Sequence, residues 1–359
     1  MTAMQIRKAA AIFILTFLSL LSMSMDIDTS NVSMTDSLIN DMIDKIENGR
    51  YGKHEFNSVL IQINGKLICE EYFNGYSRDA IHFTASVQKS ILSIMIGIAI
   101  DKGFIRDEYQ KILDYFPEFS DIKNLDDRKR ALTIKDLLIC SAGFQWTDET
   151  DFNKLTNSDS KDWIKSILDL PMTDNPGKTF NYSTAMRVIL SGIIKKTTGM
   201  NTLEFGEKYL FEPLDIDKFE WLLSPPNDIP KGGDWVSFRP IDLLKFGQLY
   251  LNNGIYENDT IVSKEWIRKS TTNQIKVSEQ DNYGYQWWVF GNEYPAQRLL
   301  NVKDGFHAKG AGGQFIWVIP HLKLVVVTTG RKNGLPDYSE GLLWDSILPI
   351  VKEYIDDNE

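Results

Sequence analysis

Apolar positions between Thr35 and Asn48 recur at helical spacing: Leu38, Ile39, Met42, Ile43 and Ile46 share one face, and Asn48-Gly49 supplies the stop. Ser58 to Ile63 reads as a strand, Asn64-Gly65 as a tight hairpin turn, and Lys66 to Phe73 as the returning strand. The pattern then changes to an almost wholly apolar run, Ile91 to Ile100, closed by Asp101-Lys102-Gly103. That run predicts a helix buried on every side, with Thr84 and Ser86 as candidate caps at its front. From 104 to about 234 strand-like runs nearly vanish. Short helical pieces replace them, at Thr133 to Leu138, Ser160 to Leu168, Ser183 to Thr198 and Thr202 to Tyr209, in loops carrying Pro117, Pro171, Pro176, Pro213, Pro225 and Pro226. A helix over Ile241 to Leu251 follows, with proline at its first position. Strands return at Gly284 to Phe290, Gln314 to Ile319 and Leu322 to Thr328, the last two joined by a turn at Pro320-His321, and a helix from Gly341 to Ile355 closes the chain.

Strands at both ends with helices between predict an α+β fold: an antiparallel sheet flanked by helices, with a mainly helical region inserted. The α/β part takes about 50–103 and 235–359, the insert about 104–234, and the whole of 25–359 reads as one domain. Clefts form preferentially between such lobes, and the helix after Phe83 should present its first turn to that cleft.

The first 24 residues stand apart. Arg7 and Lys8 precede the apolar run Ala9 to Leu21, and Ser22-Met23-Ser24 supplies small residues where a signal peptidase would cut. The segment reads as a secretory signal, or as a signal anchor if it is retained. Either way the body of the protein is expected outside the cytoplasm, periplasmic or secreted.

Composition narrows the partners. The 359 residues are 43% hydrophobic and 25% charged, with a formal net charge of −10 that argues against nucleic acid and anionic membrane surfaces. Membrane association is expected only through a retained N-terminal segment. The two cysteines, Cys69 and Cys140, could form one disulfide or remain two buried thiols. His54, His82, His307 and His321 form no ligand pair in sequence, so no metal or cofactor is implied.

Candidate chemistry starts at Ser86-Val87-Gln88-Lys89. Residues three apart share a helical face, and burial disfavours an ammonium, so a neutral lysine amine can take the proton of a serine hydroxyl. By itself this spacing more often describes a capping serine with an outward lysine. Three further stretches change that balance: Leu132 to Leu138 leading into Ser141-Ala142-Gly143-Phe144, Pro176 to Thr184, and His307-Ala308-Lys309-Gly310-Ala311-Gly312-Gly313-Gln314.

In that order, over about residues 50–330, these blocks resemble the serine hydrolases of the class C β-lactamase and penicillin-binding-protein-like group. Within it the chain is most similar to the esterase, D-aminopeptidase and 6-aminohexanoate-oligomer hydrolase branches. The resemblance implies Ser86 as nucleophile, Lys89 as its activating partner and Tyr182 as a second proton carrier. It also implies an oxyanion site formed by the backbone N–H groups of Ser86 and Ala311, beside Gly310. Two departures stand out. Thr184 holds the position of the asparagine in the family's Tyr-x-Asn box. Ala308-Lys309-Gly310 replaces Lys-Thr-Gly, with Lys309 or His307 as partial substitutes for the missing cation. Phe144, Trp146, Tyr283, Tyr285, Trp287 and Trp288 are candidates to line the substrate pocket. The expectation is an exported serine hydrolase forming an acyl-enzyme from a small ester or amide. The rivals are a D-Ala-D-Ala-type peptidase or β-lactamase, and a catalytically inactive relative that binds cell wall or a partner protein.

Overall fold

The computed structural model describes residues 33–158, 160, 162–224, 229–230, 236–295, 300–302, 304–331 and 338–358. The N-terminal signal reading lies outside them.

An eight-stranded antiparallel sheet is the centre of the fold. In chain order its strands are β1 (Phe56–Ile63), β2 (Lys66–Tyr72), β3 (Ile275–Lys276), β4 (Asp281–Tyr283), β5 (Trp288–Phe290), β6 (Phe306–Gly310), β7 (Gln314–Ile319) and β8 (Leu324–Gly330). Their spatial order is β3-β4-β5-β6-β7-β8-β1-β2, so the first hairpin pairs onto the last strand of the chain. Asn64 and Gly65 both take positive φ, 52° and 78°, as a two-residue hairpin turn of the favoured hand requires. The strand expected over Gly284 to Phe290 is shorter than its apolar pattern suggests. Gln286 adopts φ 62° and residues 284–287 form a turn, so β5 starts only at Trp288.

Both faces of the sheet are covered. Alternation on the central strands divides them cleanly: Leu60, Ile316, Val318, Val325 and Val327 join one core, while Val59, Ile61, Phe315, Trp317, Leu324 and Val326 join the other. The second core is closed by α1 (Met34–Glu47) and by a C-terminal helical stretch ending in α5 (Leu348–Asp356). The first core holds α2 (Val87–Asp101), α3 (Ala185–Thr198) and α4 (Pro240–Leu251). Every residue of α2 from Val87 to Ala99 is buried, which explains why its sequence has no polar stripe. Among the described residues, 104–218 contribute no strand to the large sheet; apart from α3 they are short helices and loops packed around α2 and α3. Cys69 and Cys140 are buried free thiols.

Candidate active site

The start of α2 is fixed from outside the helix. His82–Phe83 pairs with Val236–Phe238 in a small three-stranded sheet, and Thr84 donates both its N–H (3.0 Å) and its hydroxyl (2.8 Å) to the Val236 carbonyl. Thr84 is thereby spent on the sheet rather than on a cap. Ala85 follows at φ 47°, a left-handed conformation that is costly for a residue with a Cβ. The strained turn throws Ser86 into the N-cap position just before Val87, where its hydroxyl makes no capping bond. Ser86 Oγ lies instead 2.9 Å from Lys89 Nζ.

Lys89 is 2% exposed. Its Nζ also donates to Thr184 Oγ1 at 3.3 Å and lies 4.5 Å from the centroid of the Tyr182 ring. The sequence predicts the tyrosine beside the lysine; the contact is to the π face of the ring. Tyr182 is half-buried and stacks on Trp288 at 5.8 Å, with Tyr283 edge-on at 6.4 Å. An amine N–H over the negative face of an aromatic ring is held by the ring quadrupole.

The other sequence blocks deliver these groups. A capping box of Thr133 and Asp136 starts the helix Ile134–Leu138, and the Gln286 side chain donates to the carbonyls of Leu137 (3.1 Å) and Leu138 (2.8 Å). The Gln286 carbonyl accepts from Ser90 Oγ at 2.6 Å, which locks α2 to that helix through the 284–287 turn. The Cys140 carbonyl then accepts from Asn181 N–H at 2.7 Å and draws the Tyr182 segment alongside.

Thr184 heads α3, and its neighbour is a residue the sequence pattern does not single out. Asp148 Oδ2 accepts the Thr184 hydroxyl at 2.6 Å, and Oδ1 accepts the Thr184 N–H (2.6 Å) and Trp146 Nε1 (2.5 Å). One turn along α3, Arg187 is 1% exposed, donates to Gln88 Oε1 at 3.4 Å and lies over the Phe152 ring. Burial pushes its guanidinium down to about 10, opposed by the nearby charge of Asp148.

On the opposite wall, β6 separates the third block into two faces. Ala308 is buried toward α2. His307 and Lys309 point the other way. His307 is 1% exposed among Phe290, Tyr294, Phe315 and Trp317, and burial holds its imidazolium well below the ordinary range. Lys309 donates to Glu340 at 2.7 Å and lies over the Phe315 ring. The structure therefore does not bring these two side chains to the serine. Gly310 does come close: a Cβ there would sit 2.4 Å from the Thr84 carbonyl oxygen and 3.0 Å from Ala85 Cβ. Ala311, whose N–H the resemblance assigns to the oxyanion site, is exposed in the turn between β6 and β7. Of the aromatic candidates, Phe144, Trp146, Tyr283, Tyr285 and Trp287 are buried in the core; Trp288 stays half-exposed against Tyr182.

A family model described as Beta-lactamase matches residues 57–343. A 6-aminohexanoate-dimer hydrolase from Paenarthrobacter ureafaciens is 24% identical over 302 residues, covering 78% of this chain and 73% of that protein. A Bacillus anthracis structure, assigned provisionally as a 6-aminohexanoate-dimer hydrolase, superposes with a TM-score of 0.72 at 18% identity, covering 88% of this chain and 82% of its own. EstCE1, described as a hydrolase with promiscuous acyltransferase activity, gives a TM-score of 0.69 at 15% identity, covering 89% and 99%.

Proposed function

This chain belongs to the β-lactamase family and is a hydrolase of that fold, and from that premise we propose that it cleaves a small ester or amide through an acyl-enzyme on Ser86. Lys89, as the neutral amine, accepts the Ser86 proton while Oγ attacks the carbonyl carbon. The N–H groups of Ser86 and Ala311 receive the oxyanion of the tetrahedral intermediate. Tyr182 gives its phenol proton to the leaving oxygen or nitrogen as the carbonyl re-forms, and the Lys89 ammonium returns a proton to the phenolate, so both groups are reset. Water then repeats the sequence on the acyl-enzyme, releasing the acid and restoring the Ser86 hydroxyl.

The observation that carries the reading is the 2.9 Å contact between a buried lysine and a serine hydroxyl withheld from capping its own helix. A structural lysine at such depth would have its N–H groups taken up by carboxylates or carbonyls, as those of buried Lys129 are, whereas the partners of Lys89 are two hydroxyls. An ester or simple amide is favoured over a β-lactam because Ala308 offers no cation to a substrate carboxylate, and Lys309 is engaged by Glu340. The curated relative is named for an amide dimer, which agrees with that class. The Arg7 to Leu21 segment supports export, as a signal or an anchor.

The decisive experiment is intact-mass spectrometry after treatment with an activated fluorophosphonate. Stoichiometric labelling is expected for the wild type, none for Ser86→Ala, and strongly slowed labelling for Lys89→Ala. Equal labelling of wild type and Ser86→Ala would overturn the assignment.

A further inference from the structure

We propose that Asp148 is a positioning residue of this reaction, fixing the direction in which the Lys89 amine presents its lone pair; the proposal rests on the acyl-enzyme reading above. A threonine hydroxyl has one proton and two acceptor lone pairs, whereas a carboxylate can only accept. Thr184 Oγ1 lies 2.6 Å from Asp148 Oδ2, so its proton goes to the carboxylate. What Thr184 turns toward Lys89 Nζ, 3.3 Å away, is then an acceptor. A neutral amine has two N–H bonds and one lone pair. With one N–H drawn to Thr184, the lone pair is left for the Ser86 hydroxyl at 2.9 Å. Polarity thus runs in one sense from Ser86 through Lys89 and Thr184 to Asp148.

The carboxylate is itself anchored. The Thr184 N–H and Trp146 Nε1 both donate to Oδ1, leaving Oδ2 to face the hydroxyl. Arg187 adds a buried cation within electrostatic reach. In this chain a threonine therefore stands where the related Tyr-x-Asn box has an amide, and the acid behind it supplies the orientation that a lone hydroxyl would lack.

Asparagine at 148 gives a sharp test. Its amide oxygen would be held by the Thr184 N–H and Trp146, which turns Nδ2–H toward Thr184 Oγ1. The hydroxyl must then donate toward Lys89, and the lone pair meant for Ser86 is occupied. Asp148→Asn should lower kcat on a p-nitrophenyl ester by about ten- to a hundred-fold, with KM within about twofold. Asp148→Ala, which leaves the hydroxyl free to rotate, should do less harm than Asp148→Asn. On a Thr184→Val background, Asp148→Asn should cause no further loss, because the connecting hydroxyl is gone. Additive losses in that cycle, or a change confined to KM, would overturn the proposal. Should Asp148→Asn fail to fold, Thr184→Ser against Thr184→Val carries the question: serine should keep turnover within a few-fold, and equal losses in both would count against the relay. Failure of wild-type Ser86 to take the fluorophosphonate would instead reject the acyl-enzyme reading, while additive losses in the Asp148–Thr184 cycle on a labelling-competent enzyme reject the role of Asp148.

Discussion

At the scale of single residues, the site depends on two surfaces touching at Gly310. The Thr84 carbonyl that a Cβ at 310 would strike at 2.4 Å also accepts the Val87 N–H at 3.1 Å, so it is part of the turn that launches α2. Relief of that overlap must move either β6 away from the serine or the Ala85 turn away from β6. Displacements of about 1 Å in a catalytic constellation can cost about a hundred-fold in rate. Gly310→Ala should therefore lower kcat/KM by roughly that factor while thermal unfolding shifts only modestly. Gly341→Ala, where a Cβ meets nothing within 4 Å, is the control and should leave both unchanged. Wild-type turnover in Gly310→Ala would show that the seating of β6 against the Ala85 turn does not matter to the reaction. His307 and Lys309 make the complementary point. Sequence alone names them as substitutes for a missing cation, but strand alternation puts them opposite Ala308, and their partners are aromatic rings and Glu340.

At the scale of elements, hydrophobic spacing fixed helices and strands well wherever one period ran unbroken. The helix expected over Thr35 to Asn48 spans Met34–Glu47, the one over Ile241 to Leu251 spans Pro240–Leu251, and the all-apolar run after Lys89 is the fully buried α2. That Ser86, Lys89 and Tyr182 come together was legible because each sits in a recognisable block. Asp148 and Arg187 were not: an acid two residues past a tryptophan and an arginine within a helix look like solvated charges until the fold encloses them. Lys129 is a third such case. In sequence it belongs to a run of charges, yet it is fully buried, with Nζ donating to the carbonyls of Lys123 (2.9 Å), Leu168 (2.7 Å) and Leu170 (2.7 Å). The segment it holds pairs Met172 with Phe144 and accepts the Gln145 N–H at Pro171, directly before Trp146 and Asp148. Lys129→Met would strip three carbonyls of their donor, at a cost of roughly 3–5 kcal/mol. The urea midpoint should fall at unchanged slope. A midpoint within experimental error of wild type would mean the clamp adds nothing net.

At the scale of the whole molecule, two buried histidines tie stability to pH. His82 is 1% exposed, its Nδ1 lies 2.6 Å from Thr329 Oγ1, and Thr329 in turn meets Ser58 Oγ at 2.6 Å. Burial pushes its imidazolium from the ordinary 6.5 down to about 4, and His307 is displaced in the same direction by the same cause. A base whose folded pKa is depressed stays neutral in the fold while the unfolded chain takes up a proton. Its contribution is therefore complete above pH 6.5 and is lost as pH falls toward 4, by roughly 3 kcal/mol for His82. Asp281 works against this. Burial, then the charge of Glu340, lifts its carboxyl to about 6 against the opposing charge of Lys309, so its neutral form is favoured in the fold and stability is regained as pH drops from 6 toward 3.8. With two histidines against one partly exposed acid, unfolding free energy should decline from pH 6.5 to 4. His82→Gln should flatten that decline and Asp281→Asn should steepen it, whatever either does to stability at pH 7. Chemical denaturation at half-unit pH steps checks all three slopes together, and parallel curves for wild type and His82→Gln would remove His82 from the account.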